Sequence, residues 1–269
     1  MKKRKCPHCQ SEKIIKKSSM KTKRGKTKRY QCKSCNKTFT KRTGTINYRK
    51  RKQNLREQIT ARYCEKQSLR GLARTMPASY NTIVKYFREN AEIARKANKK
   101  RLGKGLITSY VQFDQLESYE HSRKKPVGIQ ISIRWKTGEI VSAKVGYIPI
   151  RALTISKQQS KEWNIKARKS QHTLAMILET KKALNKNGAT ISCDRERKQV
   201  SLLKDFCHED FISLQPSSQE NKKIDRVFRR LRNDVSRLNR KTICTTKDIT
   251  RLQDHLDLYT DYHNVKRAA

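Results

Sequence analysis

The chain has 269 residues, with 66 Lys+Arg against 23 Asp+Glu and a formal net charge of +43. Self-repulsion on that scale calls for a polyanionic partner, and nucleic acid is the first candidate. A membrane surface is the rival, but there is no run of about 18 apolar residues and no apolar stretch behind the basic N-terminus, so the expectation is a soluble, cytoplasmic protein with no membrane partner.

A mean hydropathy of -0.96 would also suit a disordered tail. The apolar residues, however, fall in periodic segments able to bury a core. Eight cysteines without a secretory signal point to thiols or metal ligands rather than disulfides.

Near the N-terminus, Cys6-Pro7-His8-Cys9 and Cys32-Lys33-Ser34-Cys35 are two C-x-x-C knuckles separated by 22 residues. That spacing predicts a zinc ribbon over residues 1–48, with Cys6, Cys9, Cys32 and Cys35 closing a tetrahedral structural Zn²⁺ site. His8 is read as a bystander. Arg29–Cys32 and Thr38–Thr40 read as short strands carrying an aromatic plug under the metal. Residues 1–52 hold 21 Lys+Arg and a single acid, Glu12, so the module is electropositive enough to rest on phosphates.

Residues 49–104 read as a helix-turn-helix followed by a basic linker. Leu55, Ile59 and Tyr63 share one helical face, and Ser68 is placed to cap a short helix with Leu69, Leu72 and Ala73. Met76-Pro77-Ala78 breaks the chain. Ser79 then caps a third helix with Ile83, Val84 and Phe87 inward. In such a unit the start of the last helix enters the major groove, which makes Ser79, Tyr80, Asn81, Thr82, Lys85 and Arg88 the candidate DNA contacts. The polar stretch Ala94–Gly105 reads as a linker.

From 105 to 269 the period changes. Ile107–Phe113, Pro126–Trp135 and Glu139–Ile148 read as three consecutive strands, with a turn at Lys136-Thr137-Gly138. A helix is expected over His172–Asn185, with Leu174, Ile177, Leu178 and Leu184 on its apolar side, then short strands at Ala189–Cys193 and Phe211–Leu214. A long helix over Glu220–Leu238 shows the stripe Ile224, Val227, Phe228, Leu231, Val235 and Leu238. In this order Asp114 and Asp194 each end an apolar strand. If those strands are adjacent and parallel, the two carboxylates meet at one sheet edge and can bridge a pair of Mg²⁺ or Mn²⁺ ions suited to phosphoryl transfer. Cys64, Cys193, Cys207 and Cys244 lack paired spacing and read as core thiols. Trp135 and Trp163 are open to core packing or to stacking on bases.

The text Arg230-Leu-Arg-Asn-Asp-Val-Ser-Arg-Leu-Asn-Arg-Lys-Thr-Ile-Cys244, the ending Leu256-Asp-Leu-Tyr-Thr-Asp-Tyr-His-Asn264, and Phe113-Asp-Gln-Leu-Glu-Ser-Tyr119 give the chain a resemblance to transposases of the bacterial insertion-sequence-one family. It extends from Cys6 to Asn264. The resemblance implies an α/β architecture in which a zinc ribbon and a helix-turn-helix precede a ribonuclease-H-like mixed sheet with helices. It also implies cleavage and joining of inverted-repeat DNA ends by attack of a 3′-hydroxyl, on double-stranded DNA, by a homo-dimer or larger assembly on the nucleoid. The family's acidic triad maps onto Asp114, Asp194 and Asp225. The family's third acid is a Glu, one methylene longer than Asp225, and Glu220 and Asp234 on the same helix remain alternatives. Arg232, two turns from Asp225, is then a DNA-phosphate contact. The Asp at 225 and Gln115 beside the first acid also admit a second reading, a DNA-binding protein on a transposase scaffold that has lost its chemistry.

Overall fold

The computed structural model describes residues 4–22, 25–45, 48, 54–103, 108–122, 124–150, 157–169, 171–184, 189–193, 197–206, 212–213, 218–239 and 248–268. The chain divides into two compact units, 1–55 and 56–269.

The first unit is a three-stranded antiparallel sheet in the order β1-β2-β3, made of β1 (Ile14–Thr22), β2 (Gly25–Cys32) and β3 (Thr38–Thr40). The short strands expected before Cys32 and at Thr38–Thr40 are present. The β2 strand starts earlier than expected, and β1 was not anticipated. Its sequence, Ile-Ile-Lys-Lys-Ser-Ser-Met-Lys-Thr, lacks the apolar alternation of a half-buried strand because only its first residue, Ile14, reaches the core and the rest are exposed. Cys6, Cys32 and Phe39 form the buried cluster, with Ile14 and Tyr30 against it. Tyr30 packs on Phe39 at 5.8 Å between ring centroids and carries the Arg4 guanidinium 4.0 Å from its own centroid.

The second unit begins with three helices, α1 (Leu55–Cys64), α2 (Leu69–Thr75) and α3 (Tyr80–Gly103). Ser68 caps α2, its Oγ accepting from Gly71 N at 3.0 Å. The expected linker Ala94–Gly105 is instead helical as far as Gly103. Its cations are matched by acids on the last helix, α8 (Ile249–Ala268). Arg95 donates to Asp254 and Asp257, each at 2.7 Å, and Arg101 to Asp261 at 2.8 Å. Ala91 and Ala94 are buried on the same helix. The expected helical face of Ile59 and Tyr63 is buried, and the Tyr63 ring packs with Phe87 and His255 at 4.8 and 5.0 Å.

Three strands follow, β4 (Tyr110–Tyr119), β5 (Pro126–Arg134) and β6 (Ile140–Tyr147), all antiparallel. Gly138, at φ +68°, makes the expected turn, its N donating to Arg134 O at 2.7 Å. Next come α4 (Lys157–Lys169), which was not anticipated, α5 (His172–Lys181), β7 (Thr190–Cys193), α6 (Arg197–Phe206), β8 (Ile212–Ser213) and α7 (Ser218–Asp234), closed by a 3-10 turn at Ser236–Leu238. The architecture is α/β with a mixed sheet in the order β6-β5-β4-β7-β8, in which β7 runs parallel to β4 and β8 parallel to β7.

Pattern explains the core. Along β5, Ile129, Ile131 and Ile133 alternate with Gln130 and Ser132, yet all five are buried. The polar residues face α5, where Ser132 Oγ lies 2.7 Å from Thr180 Oγ1, and Gln130 donates to Gln115. These hydrogen bonds let a central strand be covered on both faces, although Gln130 Oε1 finds no partner among the described residues. Phe113, Ile191 and Cys193 pack on Met176 and Ile177 of α5 and Leu203 of α6. Leu178, expected on the apolar side of α5, is 42% exposed; Met176 takes its place in the core. Trp163 is buried, donating from Nε1 to Ile148 O at 3.1 Å.

Candidate metal centre and acidic edge

The four sulfurs of Cys6, Cys9, Cys32 and Cys35 lie within 4.8 Å of one another. Cys6 and Cys35 sulfurs are 3.7 Å apart, and those of Cys9 and Cys32 are 3.5 Å apart. A regular tetrahedron of thiolates around zinc has sulfur separations of about 3.8 Å, so the donor set and its size fit one metal ion such as zinc. Local backbone explains the fit. Gln10 and Asn36, each directly after the second cysteine of its pair, are left-handed at φ 60° and 53°. Those turns let Gln10 N donate to Cys6 O at 2.9 Å and fold each knuckle around its sulfurs. His8 N donates to Cys6 Sγ at 3.4 Å while its side chain stays outside the cluster. The backbone N–H of Cys35 is the main cause that draws the Cys32 thiol down to about 6. Cys9, despite a backbone hydrogen bond from Ser11, is pushed up to about 12 by its sulfur neighbours, so the pair gives up its first proton readily and holds its second. Among the described residues this is the one group of three or more His, Cys, Asp or Glu able to hold an ion.

The acidic residues are distributed differently. Asp114 does not end its strand as expected: β4 runs on to Tyr119 because β5 pairs with it throughout, with Asp114 opposite Ile131 and Tyr119 opposite Pro126. Asp114 is half-buried, and its Oδ1 accepts from Gln115 N at 2.6 Å. Glu117 stands three residues further along the same strand and therefore on the opposite face. β4 and β7 are adjacent and parallel, pairing Val111 with Ile191 and Phe113 with Cys193. Asp114 and Asp194 are the residues that follow those last partners in sequence; Asp194 lies outside the described residues.

On α7, which packs against β4, Ile224, Val227, Phe228 and Leu231 are buried while Asp225 is exposed and Arg232 half-exposed. The side chain of Glu220 lies outside the described residues. Asp234, which its sequence neighbourhood would pair with Arg237 or Arg240, has a structural place with other partners. Tyr259 Oη donates to its Oδ2 at 2.9 Å, and its backbone O accepts from Lys66 N at 2.9 Å. Arg240 is outside the described residues, as are Cys207 and Cys244. Cys64 and Cys193 are buried thiols. His263 is buried with Nε2 at 3.2 Å from Gly138 O, its ring against Tyr259. Lys223 Nζ sits 3.9 Å over the Trp135 ring, closing that face to a base.

At the start of α3, Ser79 Oγ lies 3.0 Å from Thr82 Oγ1 and accepts from Thr82 N at 3.4 Å. Ser79, Tyr80, Asn81, Lys85 and Arg88 are exposed and Thr82 half-exposed. Ile83 and Phe87 are buried on the other side. Arg237 and Arg251 border the same surface. No local pattern announced them, because they come from the 3-10 turn and α8, far along the chain.

No family model matches the chain, and no curated protein matches it. Among the described residues no helix is long and apolar enough to cross a membrane.

Proposed function

We propose that the chain is a metal-dependent DNA transposase that cuts and joins inverted-repeat ends by phosphoryl transfer, as its resemblance to the insertion-sequence-one family implies. The observation that carries this reading is the parallel register of β4 and β7, with Phe113 and Cys193 as partners immediately before Asp114 and Asp194. The element order, three antiparallel strands and then two that return parallel through helices, supports a ribonuclease-H-like domain. Asp114 and Asp194 offer hard oxygen donors for Mg²⁺ or Mn²⁺, and Asp225 is the third donor of the set. Bound there, such ions supply activation of the attacking oxygen and charge stabilisation at the leaving one. The helix-turn-helix reads duplex DNA from the exposed start of α3, and the Zn²⁺-held ribbon rests on phosphates. Two DNA ends require a dimer or larger assembly.

The test is Mg²⁺-dependent cleavage of duplex DNA carrying the element's own ends. Asp114→Asn removes a metal-balancing charge, so cleavage should fall by several orders of magnitude with DNA binding retained. Equal cleavage by the variant and the parent would sink the assignment. The exposure of Asp225 favours the second reading, DNA binding on a scaffold without chemistry. Tight duplex binding by the parent with no cleavage in Mg²⁺ or Mn²⁺ would select it.

A further inference from the structure

A groove of about 730 Å³ runs beside the first half of α3. Asn81, Lys85 and Arg88 line one side of it, at i, i+4 and i+7 on one helical face. Arg237 of the 3-10 turn and Arg251 of α8 complete the lining, and Val84 and Phe87 give it apolar surface.

Charge decides what such a groove can hold. Two acids also reach it, Glu89 and Asp254, and each is already engaged: Glu89 with Arg56, Asp254 with Arg95 at 2.7 Å. The cations are less committed. Arg251 has Asp248 at 3.4 Å, a pair exposed at both ends by more than 40%, and such pairs hold weakly. Arg237 Nη1 is buried and has no hydrogen-bond partner among the described residues. Arg237 as a whole is half-exposed beside the groove, and a guanidinium keeps its charge there. Four cations spread along an open groove suit an extended polyanion better than a single small anion, and guanidinium groups match phosphate oxygens in geometry.

We infer that this groove seats one phosphodiester strand of duplex DNA, with Arg237 and Arg251 holding its phosphates while the start of α3 stands in the adjacent major groove. The inference rests on the DNA reading above and adds to it two contacts outside the helix-turn-helix. Phosphate contacts set register and orientation and carry no sequence information. The C-terminal part of the chain therefore strengthens binding without changing which sequence is preferred.

The test uses the full chain and two duplexes of unrelated sequence, with affinity measured by fluorescence anisotropy across a salt series. Arg237→Gln and Arg251→Gln should each lower the log–log salt slope by about 1 and weaken both duplexes by the same factor. Asn81→Ala should instead change the ratio between the two sequences. A steep parental slope that both arginine variants leave unchanged overturns the groove assignment and leaves the DNA reading standing. A parent with no salt-dependent duplex binding overturns the DNA reading itself. If Arg237→Gln loses helical circular dichroism, Arg251→Gln, at a half-exposed position, decides the question alone.

Discussion

Among the described residues of 1–55 the small cluster Cys6, Cys32 and Phe39 is buried, and two of its three members belong to the sulfur site. Residues 56–269 bury a layered apolar core in which Ile129, Ile131 and Ile133 are wholly covered and ion pairs tie α3 to α8. The first unit has an exposed hairpin and too little apolar surface to offset the entropy of ordering it. The second has a core that needs no ion. The contrast teaches that metal removal and cavity creation should act on different halves of one chain.

The largest effect should come from the metal. Apparent zinc binding in finger-sized modules is worth about 10–16 kcal/mol near neutral pH, so chelation or Cys32→Ser should unfold residues 1–55 and leave the second unit's melt where it was. Zinc content and limited proteolysis of the N-terminal segment check this. A ribbon still protected after the ion is stripped would break the comparison, because some other staple would then be present.

A smaller effect is expected from the opposite half. Ile129→Ala removes a buried side chain from β5 and should cost about 2–5 kcal/mol in the second unit. Zinc stoichiometry should not change. Denaturant unfolding of the zinc-loaded protein measures the loss; a cost under about 1 kcal/mol would mean the sheet is packed more loosely than the structure has it.

The smallest is a pH dependence that sharpens the distinction. Burial holds His172 down at about 4, against its ordinary 6.5. Between those values the unfolded chain binds a proton that the folded chain refuses, so stability falls as pH drops from 6.5 toward 4. By pH 5 the loss is on the order of 2 kcal/mol. Buried His255, also held well below its ordinary value by burial and then by the Arg237 charge, acts in the same direction. In the first unit acid should work differently, by protonating the thiolates that would hold an ion. Melts of the second unit in excess chelator isolate the histidine effect, and His172→Gln should flatten it. An unchanged pH profile in that variant would remove His172 as the cause.

Local chemistry was legible wherever a residue's role depends on its near neighbours. The two C-x-x-C pairs announce a four-sulfur site because knuckle geometry is encoded within a few residues of each pair. Ser68 and Ser79 announce helix starts, and the alternating isoleucines of β5 announce a strand. The stripe from Ile224 to Val235 marks the buried face of α7. What failed was of another kind. Ala94–Gly105 looked like a linker because it contains no acid of its own; Arg95 and Arg101 are answered by Asp254, Asp257 and Asp261 on α8, while Lys96 pairs with Glu92 one turn back. β1 was missed because a strand that brings only its first residue, Ile14, to the core has no pattern to read. Leu178 was expected inside α5 from its apolar character, but the sheet lies against Met176 and Ile177.

By itself, then, the sequence determined the sulfur cluster, the basic charge and the kind of the clearly periodic elements such as β5 and α7, but not α4 or α8. The tertiary structure alone decided that β4 lies parallel beside β7, that β4 continues past Asp114, that Asp234 answers Tyr259, and that Arg237 and Arg251 border the surface at the start of α3. The physical reason is that side-chain periodicity states which face a segment will bury. Which segments meet is set by complementary charge and shape between residues far apart in the chain.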